Sequence, residues 1–375
     1  MRVTGLPYRA PWGVELHHCM LALAEGFDPA PDLSLLEPDL DVCALAAALP
    51  ALPEWLAVPP RVRRRLQDVA LAERARAVLA QAAAAGLGVL TPQHPHWPPR
   101  LRDAPGRPLV LFVRGDPAAL ARTPSVAVVG SRAATAYGLL AAEDFAGALA
   151  RAGVAVWSGL ARGIDGIAHE TALAAGGVTV AVLAGGLDVV YPPEHDPLAR
   201  RIASAGGCVV SELPPGMRAT RGHFLRRNRI LACSTPATLV VEAGRTSGAL
   251  VTAGMAAAAG ATVHAVPGPY TSEQSRGCHQ LLAEGAALAH DPVELLRGLG
   301  IDRTTSPVQS RALVLGADAE AVLQLLRKGP RPLDLAQRES RLERTAFLAA
   351  VHALLREGLV RQLPGSMLAA APLSR

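Results

Sequence analysis

The residues best suited to chemistry in this chain lie in a series of glycine-rich loops and one arginine-rich segment. The loops are Gly130-Ser131-Arg132, Ser158-Gly159-Leu160-Ala161-Arg162-Gly163-Ile164-Asp165, Ala184-Gly185-Gly186-Leu187-Asp188, Ser211–Gly216, Glu242-Ala243-Gly244-Arg245-Thr246-Ser247-Gly248 and Pro267-Gly268-Pro269. Glycine lets backbone N–H groups approach a ligand closely. A helix that starts just after such a loop adds unpaired N–H donors and the positive end of its dipole, a combination that favours phosphate. Arg132 adds a fork-shaped donor suited to bidentate phosphate contact; the alternative is an ion pair with Asp165 or Glu242. Asp165 and His169, one helical turn apart, read either as a general-base pair or as a loop cap beside a packed histidine. His223–Ile230 sets Phe224 beside Arg226, Arg227, Asn228 and Arg229. Phosphate-neutralising arginines next to a stacking ring are what single-stranded nucleic acid needs, and a core role for Phe224 is the alternative.

Other chemistries find no support. The first loop is not G-x-G-x-x-G, and no acidic residue ends the second strand, so a dinucleotide site is not expected. Ser158 lacks the G-x-S-x-G elbow, and no nucleophile with a base or believable pair of carboxylates is present. The five cysteines (Cys19, Cys43, Cys208, Cys233, Cys278) show no C-x-x-C or metal-ligand spacing. They read as reduced core residues of a cytoplasmic protein. No metal, no cofactor and no catalytic residue is expected.

The loops must be positioned by the runs that precede them. Val126–Val129, Val154–Trp157, Val178–Leu183, Cys208–Val210, Thr238–Val241 and Thr262–Val266 are short and apolar, and each is followed by a loop and a helix-compatible span. Continuous β-branched runs of about 4–6 residues suit strands buried on both faces. Alternation with helices predicts βαβ crossovers and a parallel sheet. In such a sheet every post-strand loop leaves the carboxyl edge, where ligands bind at the point of strand-order reversal. Two further strands, Gly88–Thr91 and Leu109–Arg114, flank a proline-rich connection and are expected as edge strands that extend the sheet.

The chain has 375 residues, enough for two or three domains, with half its residues hydrophobic and 3% aromatic. A net charge of +5 fits an acidic partner without proving one. Lys328 is the one lysine, a bias that genomic GC content explains as well as function does. No stretch of about 18 apolar residues lacks charge or proline, so no membrane span or secretory signal is expected. The expected organisation is a helical accessory domain over 1–85, an extended Rossmann-like domain over 86–300, a linker over 301–315 and a small module over 316–375. The first domain should carry helices over 12–25, 41–49 and 61–85, with a basic cluster at Arg61, Arg63, Arg64 and Arg65. In the last module, helices over 319–327, 333–337 and 346–357 closed by a hairpin over 359–369 look like a winged helix, a fold that usually docks on DNA. Its third helix is mostly apolar, which fits partner binding equally.

Taken together, the motifs resemble the DNA-processing protein A (DprA/Smf) family. The likeness runs through Val129-Gly130-Ser131-Arg132, Tyr137-Gly138, Ser158–Asp165, Gly185-Gly186-Leu187-Asp188 with Tyr191-Pro192, Ser211-Glu212, Arg227-Asn228-Arg229-Ile230, Glu242-Ala243, Ser247-Gly248-Ala249-Leu250 and Ala265-Val266-Pro267-Gly268. The chain departs from the family pattern at Arg162, Pro193, His195, Leu225 and Ala261. The resemblance implies a non-enzymatic, homodimeric protein that binds and protects single-stranded DNA and loads RecA recombinase during natural transformation, alongside single-strand-binding protein. It also implies that Gly130, Ser131, Arg132, Ser158, Gly159, Arg162 and Gly163 hold phosphates, that Phe224, Arg227, Asn228 and Arg229 hold the strand and a base, and that Ser247 and Gly248 belong to the same DNA-binding set. The alternative is a Rossmann-like enzyme that hydrolyses nucleoside monophosphates, for which Glu242 and Arg245 would be the candidates.

Overall fold

The apolar runs become strands because each is buried on both sides by helices. A computed structural model describes residues 22, 64–65, 68, 70–104, 106–301, 316–356 and 359–371. The parallel strands are β3 (Ser125–Val129), β4 (Ala155–Ser158), β5 (Thr179–Val182), β6 (Cys208–Ser211), β7 (Ala237–Val240) and β8 (Thr262–Ala265). They lie within a residue or two of the runs read from the sequence. Between them run α2 (Ala136–Arg151), α3 (Ile164–Ala174), α4 (Asp196–Ser204), α5 (Arg221–Ser234) and α6 (Gly248–Ala258). They are preceded by α1 (Leu71–Ala84), β1 (Gly88–Leu90) and β2 (Leu111–Gly115), and followed by α7 (Arg276–Ala283), β9 (Ala287–Leu288) and α8 (Pro292–Gly298).

Alternate residues of each strand point to opposite layers. Val126 and Val128 pack with α2, α3 and α8, whereas Ala127 and Val129 pack with α5, α6 and α7. The nine strands are ordered β1-β2-β6-β5-β4-β3-β7-β8-β9. From β3 the chain therefore steps outward through β4, β5 and β6 in one direction, then returns to lay β7, β8 and β9 on the other side. That reversal puts the loops after β3 and β7 side by side at the carboxyl edge, the geometry of a ligand crevice.

One expectation is corrected. β1 is an edge strand, but β2 is not: it lies between β1 and β6, antiparallel to both. Prolines 98, 99 and 108 lie in the connection and leave the strand's own N–H groups intact. Of the N-terminal helices, 12–25 and 41–49 lie outside the described residues apart from buried Ala22, and the third is described over α1.

The chain's last portion runs α9 (Ala317–Arg327), β10 (Arg331–Pro332), α10 (Leu333–Ser340), α11 (Arg344–Arg356), β11 (Val360–Leu363) and β12 (Met367–Ala370). The hairpin expected from the sequence gains a third short strand, giving the antiparallel order β10-β12-β11. Val322, Leu326, Phe347, Leu354 and Leu368 form its core. Among the described residues no helix is long and apolar enough to cross a membrane.

The placement of β2 has a measurable consequence. Phe112 is fully buried between the sheet and the α1 and α4 layer, so Phe112→Ala should cost about 3–5 kcal/mol. Urea denaturation reads this directly; a cost under about 1 kcal/mol, the level of an exposed site, would put β2 back at the surface.

Candidate functional site

A cavity of about 500 Å³ opens where the loops after β3, β4 and β7 meet. Gly130, Ser131, Arg132, Asp165, Arg227, Asn228, Ser247 and Gly248 all line it. Seven of these eight were assigned to the site on sequence; Asp165 was the exception. The starts of α3 and α6 both line the cavity, so the positive dipole ends of two helices converge on one space. Ser247 caps α6 by accepting from the Ala249 N–H at 3.2 Å.

The loops hold one another. Ser131 N–H donates to the Glu242 carbonyl at 2.7 Å, and Ile164 N–H donates to the Ser131 carbonyl at 3.2 Å. A β-carbon on Gly163, whose φ is +73°, would sit 2.3 Å from the Ser131 oxygen. Only glycine therefore lets the β3 and β4 loops press together there. Buried Leu160 also adopts a positive φ, +57°. It is held in this sparsely populated conformation by its surroundings: the Asp165 carboxylate accepts from the Gly159 and Ala161 N–H groups at 3.1 and 3.3 Å, and His195 Nδ1 lies 2.9 Å from the Leu160 carbonyl.

Asp165 is thus a loop clamp. Burial raises its carboxyl above the usual range, while the Arg227 charge and the two N–H groups pull it down. His169 faces Thr179 Oγ1 at 2.7 Å in the interior, and burial, then the charges of His195 and Arg227, holds its imidazole down to about 3. Asp165 and His169 thus engage different partners. Glu242 is likewise engaged: its two oxygens accept from the Thr135 N–H and hydroxyl at 2.8 and 2.6 Å, fixing the start of α2.

The arginine-rich segment lies inside α5, which is started by a capping box between Thr220 and His223. A helix turns by about 100° per residue, so consecutive arginines cannot share a face. Phe224, Arg227, Asn228 and Leu231 point toward the crevice, while Arg226 and Arg229 point toward Glu212. The buried Arg227 donates to the carbonyls of Gly159 and, at 2.7 Å, of Val182, and its Nε reaches the Asn228 side chain. Arg229 is ion-paired with Glu212, which also lies 3.3 Å from Arg226. Ser158 is buried too, donating to the Val128 carbonyl at 2.6 Å. Ser158, Gly159, Gly163, Arg227 and Arg229 therefore form the frame behind or beside the cavity.

The rim is different in kind. Arg132 is exposed, has no acidic partner among the described residues, and lies 4.5 Å over the Phe224 ring. Neither ion pair weighed for it from the sequence forms. Phe224 meets Tyr191 edge-on, with ring centroids 5.8 Å apart. Tyr191 is exposed and went unassigned; the Tyr191-Pro192 pair in an aromatic-poor chain was the available signal. Gln274, which lines the cavity and contacts Ser131 Oγ at 3.2 Å, carried no signal. Arg162 is ion-paired on the surface with Glu194.

Among the described residues no group of three histidine, cysteine, aspartate or glutamate side chains could hold a metal ion. Cys208, Cys233 and Cys278 are buried and unpaired, and burial pushes the Cys278 thiol up to about 12.

Fold and site together define an α/β protein with a switch-point crevice lined by the starts of two helices, framed by buried Arg227 and rimmed by exposed arginines. Residues 88–300 match the family of DNA recombination-mediator protein A, and the chain belongs to that family. It is 46% identical over 248 residues to a Mycobacterium tuberculosis DNA processing protein DprA homologue, covering 62% of this chain and 63% of that one. It is 44% identical over 203 residues to the Escherichia coli protein Smf, covering 54% of each. Such matches span roughly half to two thirds of those relatives. The structure of DNA processing protein A from Streptococcus pneumoniae superposes with a TM-score of 0.57 at 29% identity, over 76% of this chain and 93% of that one. That of the Helicobacter pylori protein, described for its single-stranded DNA binding mode, gives 0.51 at 26%, over 57% and 95%.

Two measurements check the frame. A β-carbon on Gly159 would lie 1.8 Å from Arg227 Nη1, so Gly159→Ala should strip the buried guanidinium of its partners and cost roughly 3–5 kcal/mol. Gly222→Ala on the exposed start of α5, with nothing within 4 Å, should be neutral or stabilising by under about 1 kcal/mol. Similar midpoints for the two variants would dissolve the clamp. The second concerns pH. An unfolded histidine protonates near 6.5 but His169 only near 3. Below pH 6.5 the unfolded state thus takes up more protons, and the stability contributed by neutral His169 falls as pH drops. Subtracting the profile of His169→Asn from that of the wild type should leave a slope approaching 1.4 kcal/mol per pH unit between about pH 6 and 4; a flat difference would mean the imidazole is not buried neutral.

Proposed function

We propose that this chain binds single-stranded DNA along the carboxyl edge of its main sheet, without covalent chemistry, and serves as a recombination mediator. In this reading it protects strands taken up in natural transformation and loads RecA recombinase onto them, acting as a homodimer in the cytoplasm alongside single-strand-binding protein. Family membership supports the recombination role. The binding mode described for the Helicobacter pylori relative supports the choice of a single strand.

The observation that carries the reading is the convergence on one cavity of two helix N-termini and an exposed arginine with no acid to satisfy it among the described residues. Gly130 and Gly248 would present N–H groups to phosphates, Ser131 and Ser247 their side-chain hydroxyls, and Arg132 and Arg162 their guanidinium groups. Phe224, with Arg132 against it, would offer a face to a base, and the Asn228 amide would meet a base edge or hold the loop. Ser158, Gly159, Gly163, Arg227 and Arg229 would act by keeping the frame in shape. Glu242, which a nucleoside monophosphate hydrolase would need free, is engaged by Thr135. The portion from 316 to 371, read as a winged helix, would supply a duplex or protein contact.

Arg132→Ala should weaken oligothymidylate binding roughly ten-fold or more, the scale of one charge-assisted contact. It should also reduce the slope of log affinity against log salt by about 0.7 for each phosphate no longer neutralised. Unchanged affinity and slope would remove the crevice as the binding site. Glu194→Gln should act in the opposite direction, because Arg162 is then released from its surface pair; a few-fold gain in affinity at low salt is expected, and a loss would show that the pair positions Arg162 for the strand.

A further inference from the structure

Tyr191 follows β5, and β4, β3 and β7 separate that strand from β8, whose following loop carries Tyr270; this ring is 85% exposed, the most of any large hydrophobic side chain among the described residues. The loop beneath it is firmly pinned. Tyr137 donates its hydroxyl to the Pro267 carbonyl, and His279 Nε2 lies 3.0 Å from the Gly268 carbonyl. Ser272 N–H donates to the Pro269 carbonyl at 3.0 Å, and Gly277 N–H to that of Ala243 at 2.7 Å. A tethered loop presenting its ring to water is a preformed platform, with little ordering cost left to binding. Four residues further on, Gln274 lines the cavity and touches Ser131. The adjoining loop after β7 lines the cavity through Thr246, Ser247 and Gly248, and its Arg245 is exposed with no acidic partner among the described residues. Nearby Glu273 is paired with Arg276 at 2.6 Å.

An exposed ring on a fixed loop, and on the adjoining loop an exposed guanidinium with no acidic partner among the described residues, border the crevice through Gln274 and Thr246–Gly248. Stacking on aromatic faces joined to backbone neutralisation is how single strands are held irrespective of sequence. We infer that a strand leaving the crevice continues over the loops after β7 and β8, where Arg245 neutralises a phosphate and Tyr270 stacks a base. The cavity is then the middle of the path, with Phe224 and Tyr191 on one side and Tyr270 on the other. This rests on the single-strand reading of the crevice.

The test is binding of the full chain to oligothymidylates of about 4 to 16 nucleotides, the span of single-strand site sizes, followed by fluorescence anisotropy. Arg132→Ala, the double variant Arg245→Ala with Tyr270→Ala, and Tyr270→Trp are compared with the wild type; Tyr270 and Arg245 are exposed, so folding is not at stake. The double variant should match wild type on the shortest oligonucleotides and fall behind by about five-fold or more on the longer ones. Tyr270→Trp should keep the gain with length. A double variant that follows wild type at every length, while Arg132→Ala is weakened throughout, overturns the extension and leaves the crevice standing. An Arg132→Ala protein that binds every length as wild type does overturns the crevice and the extension together.

Discussion

The crevice depends on one buried cation. Arg227 lies in the interior and joins three elements: it donates to Gly159 in the loop after β4, to Val182 at the end of β5, and it belongs to α5. A charge removed from water is tolerated only where its hydrogen bonds are met. Here carbonyl oxygens meet them, with the charge of buried Asp165 nearby. Asp165 in turn gathers the N–H groups of Gly159 and Ala161, which bends the loop after β4 around the start of α3. Two costly groups thus make each other bearable, and together they set the curvature of the loop that walls the cavity.

That arrangement divides the arginines by role. Those in the interior or against Glu212 hold parts of the chain together, and their charge is answered within the protein. Among the described residues, those on the rim are answered by a ring or by a surface carboxylate. Arg132 therefore keeps its donors clear of acidic side chains among the described residues, whereas Arg162 shares its charge with Glu194. Rigidity behind and availability in front is the combination that keeps the ordering cost of binding low.

Much of this was legible in the sequence, for reasons that differ by element. Runs such as Val126–Val129 can only be strands buried on two faces, and their loops fall at one edge by topology, so the crevice and seven of its lining residues followed. Gly163 was legible through the family motif, while the positive φ and close carbonyl that admit only glycine there are seen in the structure. The arginine segment was legible as chemistry but not as geometry: a linear reading groups Arg226, Arg227 and Arg229, whereas helical rotation sends them to different surroundings. β2 was misplaced at the edge because its neighbouring prolines belong to the connection and not to the strand. The third strand of the C-terminal sheet is two residues long, too short to leave a pattern.

The margins of the main sheet carry a consequence of their own. β1 contributes three residues and β9 two, each a brief border to a nine-stranded array. A long open border would offer a row of unmet amide and carbonyl groups on which another chain could be laid down. These stubs give such templating almost no length to grip. The broad interior sheet is thus guarded against fibre-like self-addition by the brevity of its own selvages.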